Sequence, residues 1–199
     1  MVETVNSEKH DMSRFCSKCG TSMVEREPDG DHKPRWCCDA CGFIHYENPK
    51  IIVACIATVG DEVLWIKRGT APKKGCWAQP SGFMENGETP EQAAARELFE
   101  ETGAVIDPND LNLFLVGSLP AISEVYLVYF GELKEFNVAP TAEALEIKLC
   151  DEANAPWSEY AYPEVIEATR QFYRDHQKRQ YGVYRGRYVD GVNTIARVN

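Results

Sequence analysis

Three glutamates, Glu97, Glu100 and Glu101, stand at i, i+3 and i+4 in the run RELFEE. On a helix that spacing crowds three carboxylates on one face, where like charges repel. A hard divalent cation would supply the missing positive charge, and an all-oxygen ligand set suits Mg²⁺ or Mn²⁺. Arg96 is read as pointing elsewhere, toward Glu88, so that this pair braces the preceding loop on the helix. A second cluster is made of sulfur. Cys16/Cys19 and Cys38/Cys41 form two CxxCG knuckles, the spacing of a four-thiolate structural zinc site. Cys37 falls out of knuckle register and is left unliganded. His32 and His45 are read as loop and strand residues, because the two cysteine pairs already complete a tetrahedron.

The carboxylates need a helix to hold them, and the flanking residues supply its ends. Thr89 suits the N-cap, Pro90 the first helical position, Glu91 and Gln92 the first turn, and Gly103 the stop. Ahead of the helix, IIVACIATV and EVLWIKRG around Gly60-Asp61 read as a hairpin of buried strands. CWAQPSGF is a short strand entering the loop before the helix, with Trp77 and Pro80 packing under that loop. Beyond the helix, LNLFLVGSL, EVYLVYFGEL and ALEIKLC are three further strands. YPEVIEATRQFYRDHQKR is an amphipathic closing helix with Val165, Ile166, Ala168, Thr169 and Phe172 turned inward. This mixed pattern predicts an α/β or α+β sandwich preceded by a small zinc-held unit. The expected divisions are a polar lead over 1–13, a zinc ribbon over 14–49, a catalytic domain over 50–178 and a basic tail over 179–199.

The chain has 199 residues and a formal charge of −10, so broad charge-driven binding of nucleic acid is not expected. Residues 1–49 are themselves acidic, which favours a structural ribbon over a nucleic-acid-binding one. No apolar run reaches spanning length, and no signal peptide is read. Eight cysteines without such a signal suit metal binding in a reducing, cytoplasmic compartment better than disulfides. The stretch from Arg170 onward is locally basic. It is read as an exposed helix end and flexible tail, or as an arm packing on an acidic patch of a second subunit.

From Gly82 to Ala104, the residues Gly82, Glu88, Arg96, Glu97, Leu98, Glu100, Glu101, Gly103 and Ala104 occupy every defined position of a Nudix box. The chain therefore resembles the Nudix hydrolases over about residues 50–178. The resemblance implies a mixed sheet between helices and hydrolysis of a nucleoside diphosphate linked to another moiety. It implies two or three Mg²⁺ or Mn²⁺ held by Glu97, Glu100 and Glu101, with the Gly82 carbonyl completing the set. Such ions bridge phosphate oxygens and lower the pKa of an attacking water. The general base is Glu100 or Glu101, or comes from a later loop, where Glu143 and Glu146 are candidates and Glu146 a further ligand. Lys67, Arg68 and Lys73 could meet the non-reacting phosphate. Phe83, Tyr126 and Tyr129 could stack on a base, although their strand positions also suit core packing.

A zinc ribbon before such a domain resembles two groups, the NADH pyrophosphatases and the FAD pyrophosphatases of plastids with their bacterial relatives. The NADH group's SQPWPFPxS motif has no match in IDPNDLNLFLVGSLPAIS. The other group's ribbon pattern does have one, since PDGDHKPRWCCDACG runs into ENPK. Pro120, sixteen residues past Ala104, is reminiscent of ADP-ribose pyrophosphatases. The expected substrate is thus FAD or an ADP-ribose-like dinucleotide. The alternatives are NADH, an NAD- or FAD-capped RNA, or a nucleotide-sensing regulator that binds without hydrolysis. A homodimer is implied by resemblance alone.

Overall fold

The computed structural model describes residues 14–189 and 191–198. The polar lead expected over residues 1–13 lies outside them. The chain divides into two compact units between Asn48 and Pro49.

In the first unit, β1 (Val24–Arg26), β2 (Arg35–Cys37) and β3 (Ile44–His45) form a three-stranded antiparallel sheet. Its apolar core is small: Cys16, Met23 and Cys38 are buried against Trp36 and Phe43. Each knuckle closes on itself, with Gly20 N donating to Cys16 O at 2.8 Å and Gly42 N to Cys38 O at 2.9 Å. The sulfur atoms of Cys16, Cys19, Cys38 and Cys41 all lie within 4.8 Å of one another. Zinc–sulfur bonds of about 2.3 Å in a tetrahedron need sulfurs about 3.8 Å apart, so the donor set fits Zn²⁺. Cys37 Sγ instead faces the carbonyl oxygens of Arg26 and Arg35. A core this small does not fold on apolar burial alone, so metal binding supplies its folding energy. Purified protein is expected to carry about one zinc per chain, and Cys16→Ser to lose it. Metal analysis with limited proteolysis checks this. Protection of residues 14–47 from protease without zinc would overturn it.

The second unit is organised by the hairpin β4 (Lys50–Val59) and β5 (Glu62–Arg68). The two strands pair only at their closed end, Thr58↔Val63 and Val59↔Glu62, and then diverge. Two short strands fill the wedge. β6 (Trp77–Ala78) pairs with β5, and β7 (Ser81–Phe83) pairs with β4. Between them Pro80 O accepts from Cys55 N at 3.0 Å. The wedge thus carries the chain from the sheet to α1 (Pro90–Thr102).

After α1 come β8 (Asn112–Leu119), β9 (Glu124–Glu132), β10 (Ala144–Cys150) and α2 (Ile166–Lys178). β9 lies parallel to β4 from Lys50↔Glu124 to Thr58↔Glu132, antiparallel to β8 on its other side. Both faces of β4 are covered, as its unbroken apolar sequence requires. Val53, Cys55 and Ala57 pack toward Ala93, Ala94 and Leu98 of α1. Ile52, Ala54 and Ile56 face the opposite way, into a core with Ala168, Phe172 and Tyr173 of α2. The expected sandwich of a mixed sheet between helices is present.

The basic tail is not. Within that stretch lie β11 (Tyr184–Val189) and β12 (Val192–Arg197), which extend the sheet to the order β10-β5-β4-β9-β8-β11-β12. β11 runs parallel to β8 from Tyr184↔Leu115 to Arg187↔Ser118. Tyr184 and Gly186 are buried while Arg185 and Arg187 alternate outward, so the arginines that suggest a tail are the solvent half of a strand. Gly186 is required where it stands, because a Cβ there would lie 2.6 Å from the Tyr126 hydroxyl. Among the described residues no helix is long and apolar enough to cross a membrane.

Candidate active site

Helix α1 starts on a complete capping box. Thr89 Oγ1 accepts from Gln92 N at 3.3 Å, and Gln92 Oε1 accepts from Thr89 N at 2.8 Å. It ends at Gly103, whose φ of 76° is the left-handed cap. These caps fix which carboxylates face β7. Glu101 is buried at 4% exposure, and its Oε2 accepts from Ser81 N at 2.9 Å. Glu97 lies against Gly82, where an added Cβ would fall 2.3 Å from its Oε1. Only glycine allows the two to meet, which brings the Gly82 backbone beside a carboxylate.

Burial pushes the Glu101 carboxyl up to about 8; the Ser81 amide and Arg68 oppose the rise, and the charges of Glu97 and Glu143 add to it. Glu97 is also raised by burial, against the pull of Arg96. Two buried carboxylates, each destabilised as an anion and placed beside the backbone of β7, are a donor set that fits a hard divalent ion. Glu97, Glu101 and Gly82 O are the groups that would hold Mg²⁺ or Mn²⁺. Glu100 is more exposed and sits at the edge of the pair.

Arg96 does reach Glu88, with Nε to Oε2 at 3.0 Å and Nη2 to Oε1 at 2.8 Å. It does not point away from the other carboxylates, as the sequence suggests. Its Nη1 donates to Glu97 Oε1 at 2.7 Å and to Glu100 Oε2 at 3.0 Å, and its Nη2 also meets Phe83 O at 3.1 Å. One guanidinium has five donors in a fixed fork, enough to tie three carboxylates and the loop carbonyl together. It holds the Glu88 carboxyl below its ordinary range, and Glu88 Oε1 in turn accepts from Glu85 N.

Of the two candidates beyond the helix, Glu143 and Glu146, the structure sets only Glu143 to act on the carboxylate pair. Glu146 Oε1 is 2.8 Å from Lys67 Nζ, on neighbouring strands, so each neutralises the other. Glu143 is the loop acid whose charge acts on both Glu97 and Glu101. Its loop is tied to α1 by Thr141, whose hydroxyl donates to Glu101 O at 3.0 Å and accepts from Glu143 N and Ala144 N. Register explains the difference. The β-bulge between Ala144 and Glu146 sets Glu146 opposite Lys67.

A cavity of about 460 Å³ opens beside Ser81 and Gly82 and runs between the sheet and α2. Arg68, Phe83 and Tyr126 line it, as a substrate site would need. Lys67 and Lys73 are not part of its wall. Arg68 lies over the Tyr162 ring at 5.4 Å and donates through Nε to Pro72 O. Phe83 is half-exposed beside Lys50, whereas Tyr126 is buried. Tyr129 belongs to the core on the α1 face, so it is packing and not a stacking platform. Trp77 is buried against Trp65 and Tyr160 in the α2-side core, again as packing. Sequence reasoning missed Gln79 and Tyr160 of this wall, which meet each other across 81 residues of chain, and no local spacing marks them.

Comparison with known proteins agrees with this geometry. The family model described as NUDIX domain matches residues 48–175, and that described as Nudix N-terminal matches residues 14–47. An ADP-ribose pyrophosphatase of Methanocaldococcus jannaschii is 36% identical over 131 residues, 61% of this chain and 73% of the relative. A NAD-capped RNA hydrolase NudC of Pseudomonas aeruginosa is 33% identical over 138 residues, 67% of this chain but only 46% of that longer protein. A crystal structure of a NUDIX hydrolase from Nitrosomonas europaea superposes with a TM-score of 0.82 at 39% identity, covering 88% of this chain and 98% of that one. With a buried carboxylate pair under Gly82, a latching arginine and a family model spanning most of the second unit, the chain belongs to the NUDIX family of hydrolases.

Proposed function

We propose that the protein hydrolyses the P–O–P bond of a nucleoside diphosphate joined to a second moiety, with FAD or an ADP-ribose-like dinucleotide as substrate. The observation that carries this reading is the pairing of buried Glu97 and Glu101 with Gly82 at the mouth of a nucleoside-sized cavity. Mg²⁺ or Mn²⁺ at that pair supplies charge neutralisation and water activation. The chain's own residues do the rest. Arg96 holds Glu97 and Glu100 in place, so little reorganisation accompanies the reaction. Arg68, at the cavity wall, binds the non-reacting phosphate. Exposed Glu143, anchored through Thr141, accepts the proton of the attacking water. The cavity orients the nucleoside half and excludes water around it.

A panel of FAD, NADH, NAD⁺, ADP-ribose, ADP-glucose, coenzyme A and dinucleoside polyphosphates, each with Mg²⁺ and Mn²⁺, tests the reading. AMP release from FAD or ADP-ribose is expected. No turnover on any of them refutes it. The likeness to NAD-capped RNA hydrolases supports a second reading in which the same bond is cut at an RNA cap. A NAD-capped oligonucleotide added to the panel separates the two. A homodimer and a cytoplasmic location fit the family resemblance and the cysteine content, and remain part of this proposal.

A further inference from the structure

The cavity contains one unmatched group. Gln79 is buried, with 6% of its surface exposed, and lines the wall beside Ser81. Its Oε1 accepts from the Tyr160 hydroxyl at 2.6 Å. Tyr160 is held in turn, edge-on to Trp65 at 5.0 Å and 2.8 Å from Thr169 Oγ1. The amide is therefore clamped by its oxygen, while Nε2 is buried without a hydrogen-bond partner among the described residues. A buried donor left unmatched by the protein is costly unless water or a ligand completes it, and this one borders an open cavity.

The remaining wall narrows what that ligand is. Phe83, Phe114, Tyr126 and Tyr162 present ring faces or edges, and the rest of the lining is largely aliphatic. Arg68 is the one cationic side chain among the described wall residues, and the partly exposed Glu124 and Glu164 oppose any anion entering beside them. Phosphates are thus kept at the Arg68 and Gly82 end, and what enters is flat and uncharged.

We propose that this cavity receives a planar heteroaromatic ring of the substrate and that Gln79 Nε2 donates to an in-plane acceptor of that ring, a ring nitrogen or carbonyl oxygen. The assignment rests on the nucleotide pyrophosphatase reading above and makes Gln79 a specificity-determining residue outside the metal-binding carboxylates. Adenine and isoalloxazine both offer such an acceptor, and the arms of the test tell them apart.

Full-length protein is titrated by calorimetry in EDTA with AMP, FMN and, as a ringless control, ribose 5-phosphate. AMP or FMN is expected to bind at least tenfold more tightly than the control, and the one that does identifies the ring. Gln79→Met should lose about tenfold on that ligand and nothing on ribose 5-phosphate. Its free form should melt no lower than wild type, because an orphan donor is gone and Tyr160 can donate to Thr169. Gln79→Leu also removes the donor with a different shape and should lose as much, so a misfolded methionine variant still leaves a decisive arm. In turnover, both substitutions should raise KM far more than they lower kcat. Ring ligands no tighter than the control in wild type would overturn the proposal, as would unchanged affinity in either folded variant. Normal pyrophosphatase turnover with Gln79-independent binding would sink the ring assignment alone. Gln79-dependent ring binding without turnover on any nucleotide would sink the reaction and leave the ring site standing.

Discussion

Glu101→Gln is expected to fold, keep its contact to Ser81 N and lose at least two orders of magnitude in turnover. The amide oxygen can still accept from Ser81, but it carries no charge for a divalent ion. Stability should move the other way. Burial raises the Glu101 carboxyl from 4.5 to about 8, so the folded state holds a proton that the unfolded chain releases near its ordinary value. The stability this group contributes is therefore full below about pH 4.5 and drains away as pH climbs toward 8. Glu97, raised by the same cause, adds in the same direction. Above that window the metal-free wild type carries a burden on the order of 3–5 kcal/mol that the glutamine variant lacks. At about 2–4 °C per kcal/mol for a domain of this size, metal-free Glu101→Gln should melt roughly 6–20 °C higher at pH 8.5 and close to wild type at pH 5. Mg²⁺ favours the ionised carboxylate, so it should stabilise wild type more at pH 8.5 than at pH 6, and scarcely affect the variant. Calorimetry with and without EDTA reads all of this. A variant that melts lower than wild type at pH 8.5, or that keeps near-normal turnover, would remove Glu101 from the site.

Truncation after Arg179 is the second large effect, and it should leave the catalytic unit without a stable fold. The segment that would be lost is pinned at several points. Tyr184 Oη donates to the buried carboxylate of Asp175 at 2.7 Å, Gly182 N reaches the same oxygen, and the Tyr184 ring lies 5.0 Å from Phe114. Tyr181 stacks on Phe130 at 4.4 Å and meets His176 Nδ1 at 2.7 Å. Losing buried Tyr184 and partly buried Tyr181 costs about 1.5–3 kcal/mol each, and stripping two donors from Asp175 roughly another 3–5 kcal/mol. That approaches the whole net stability of about 5–15 kcal/mol typical of a domain. The truncated chain should be insoluble or melt without cooperativity. Tyr184→Phe, which removes one hydroxyl, should stay soluble with a loss of about 1–3 kcal/mol. A truncated protein with a wild-type melting curve would show that β11 and β12 add nothing to the fold.

Most of the carboxylate site is legible in the sequence because it is local. Thr89, Pro90, Gln92 and Gly103 mark the ends of a single helix, and Glu97 and Glu101 one turn apart need only that helix to share a face. What was illegible depends on pairing across distance. The reach of Arg96 to Glu97 and Glu100 depends on the loop at Phe83 lying beside the helix. The choice of Glu143 over Glu146 depends on a bulge in β10. The donor of Gln79 becomes an orphan only when Tyr160 arrives from another part of the chain. Reading 179–199 as a tail shows the cost of averaging: seven basic residues from Arg170 onward hide the alternation of Tyr184, Gly186 and Tyr188. That period of two, followed by Asp190-Gly191 and a second alternating run, is the available signal for a hairpin.

The parallel pairing of β4 with β9, and of β11 with β8, also governs how quickly the molecule can assemble. Partners such as Val53 and Leu127, or Tyr184 and Leu115, are roughly 70 residues apart in the chain, and loop closure over that span costs about 4 kcal/mol before any contact repays it. Pairings in the first unit join residues far closer in sequence, such as Trp36 and His45. A refolding experiment should therefore show a fast zinc-dependent phase and a much slower one that restores the second unit. During the interval the apolar strand IIVACIATV has no partner and is the segment most exposed to aggregation. Yield on refolding is thus set by protein concentration during the slow phase more than by metal supply.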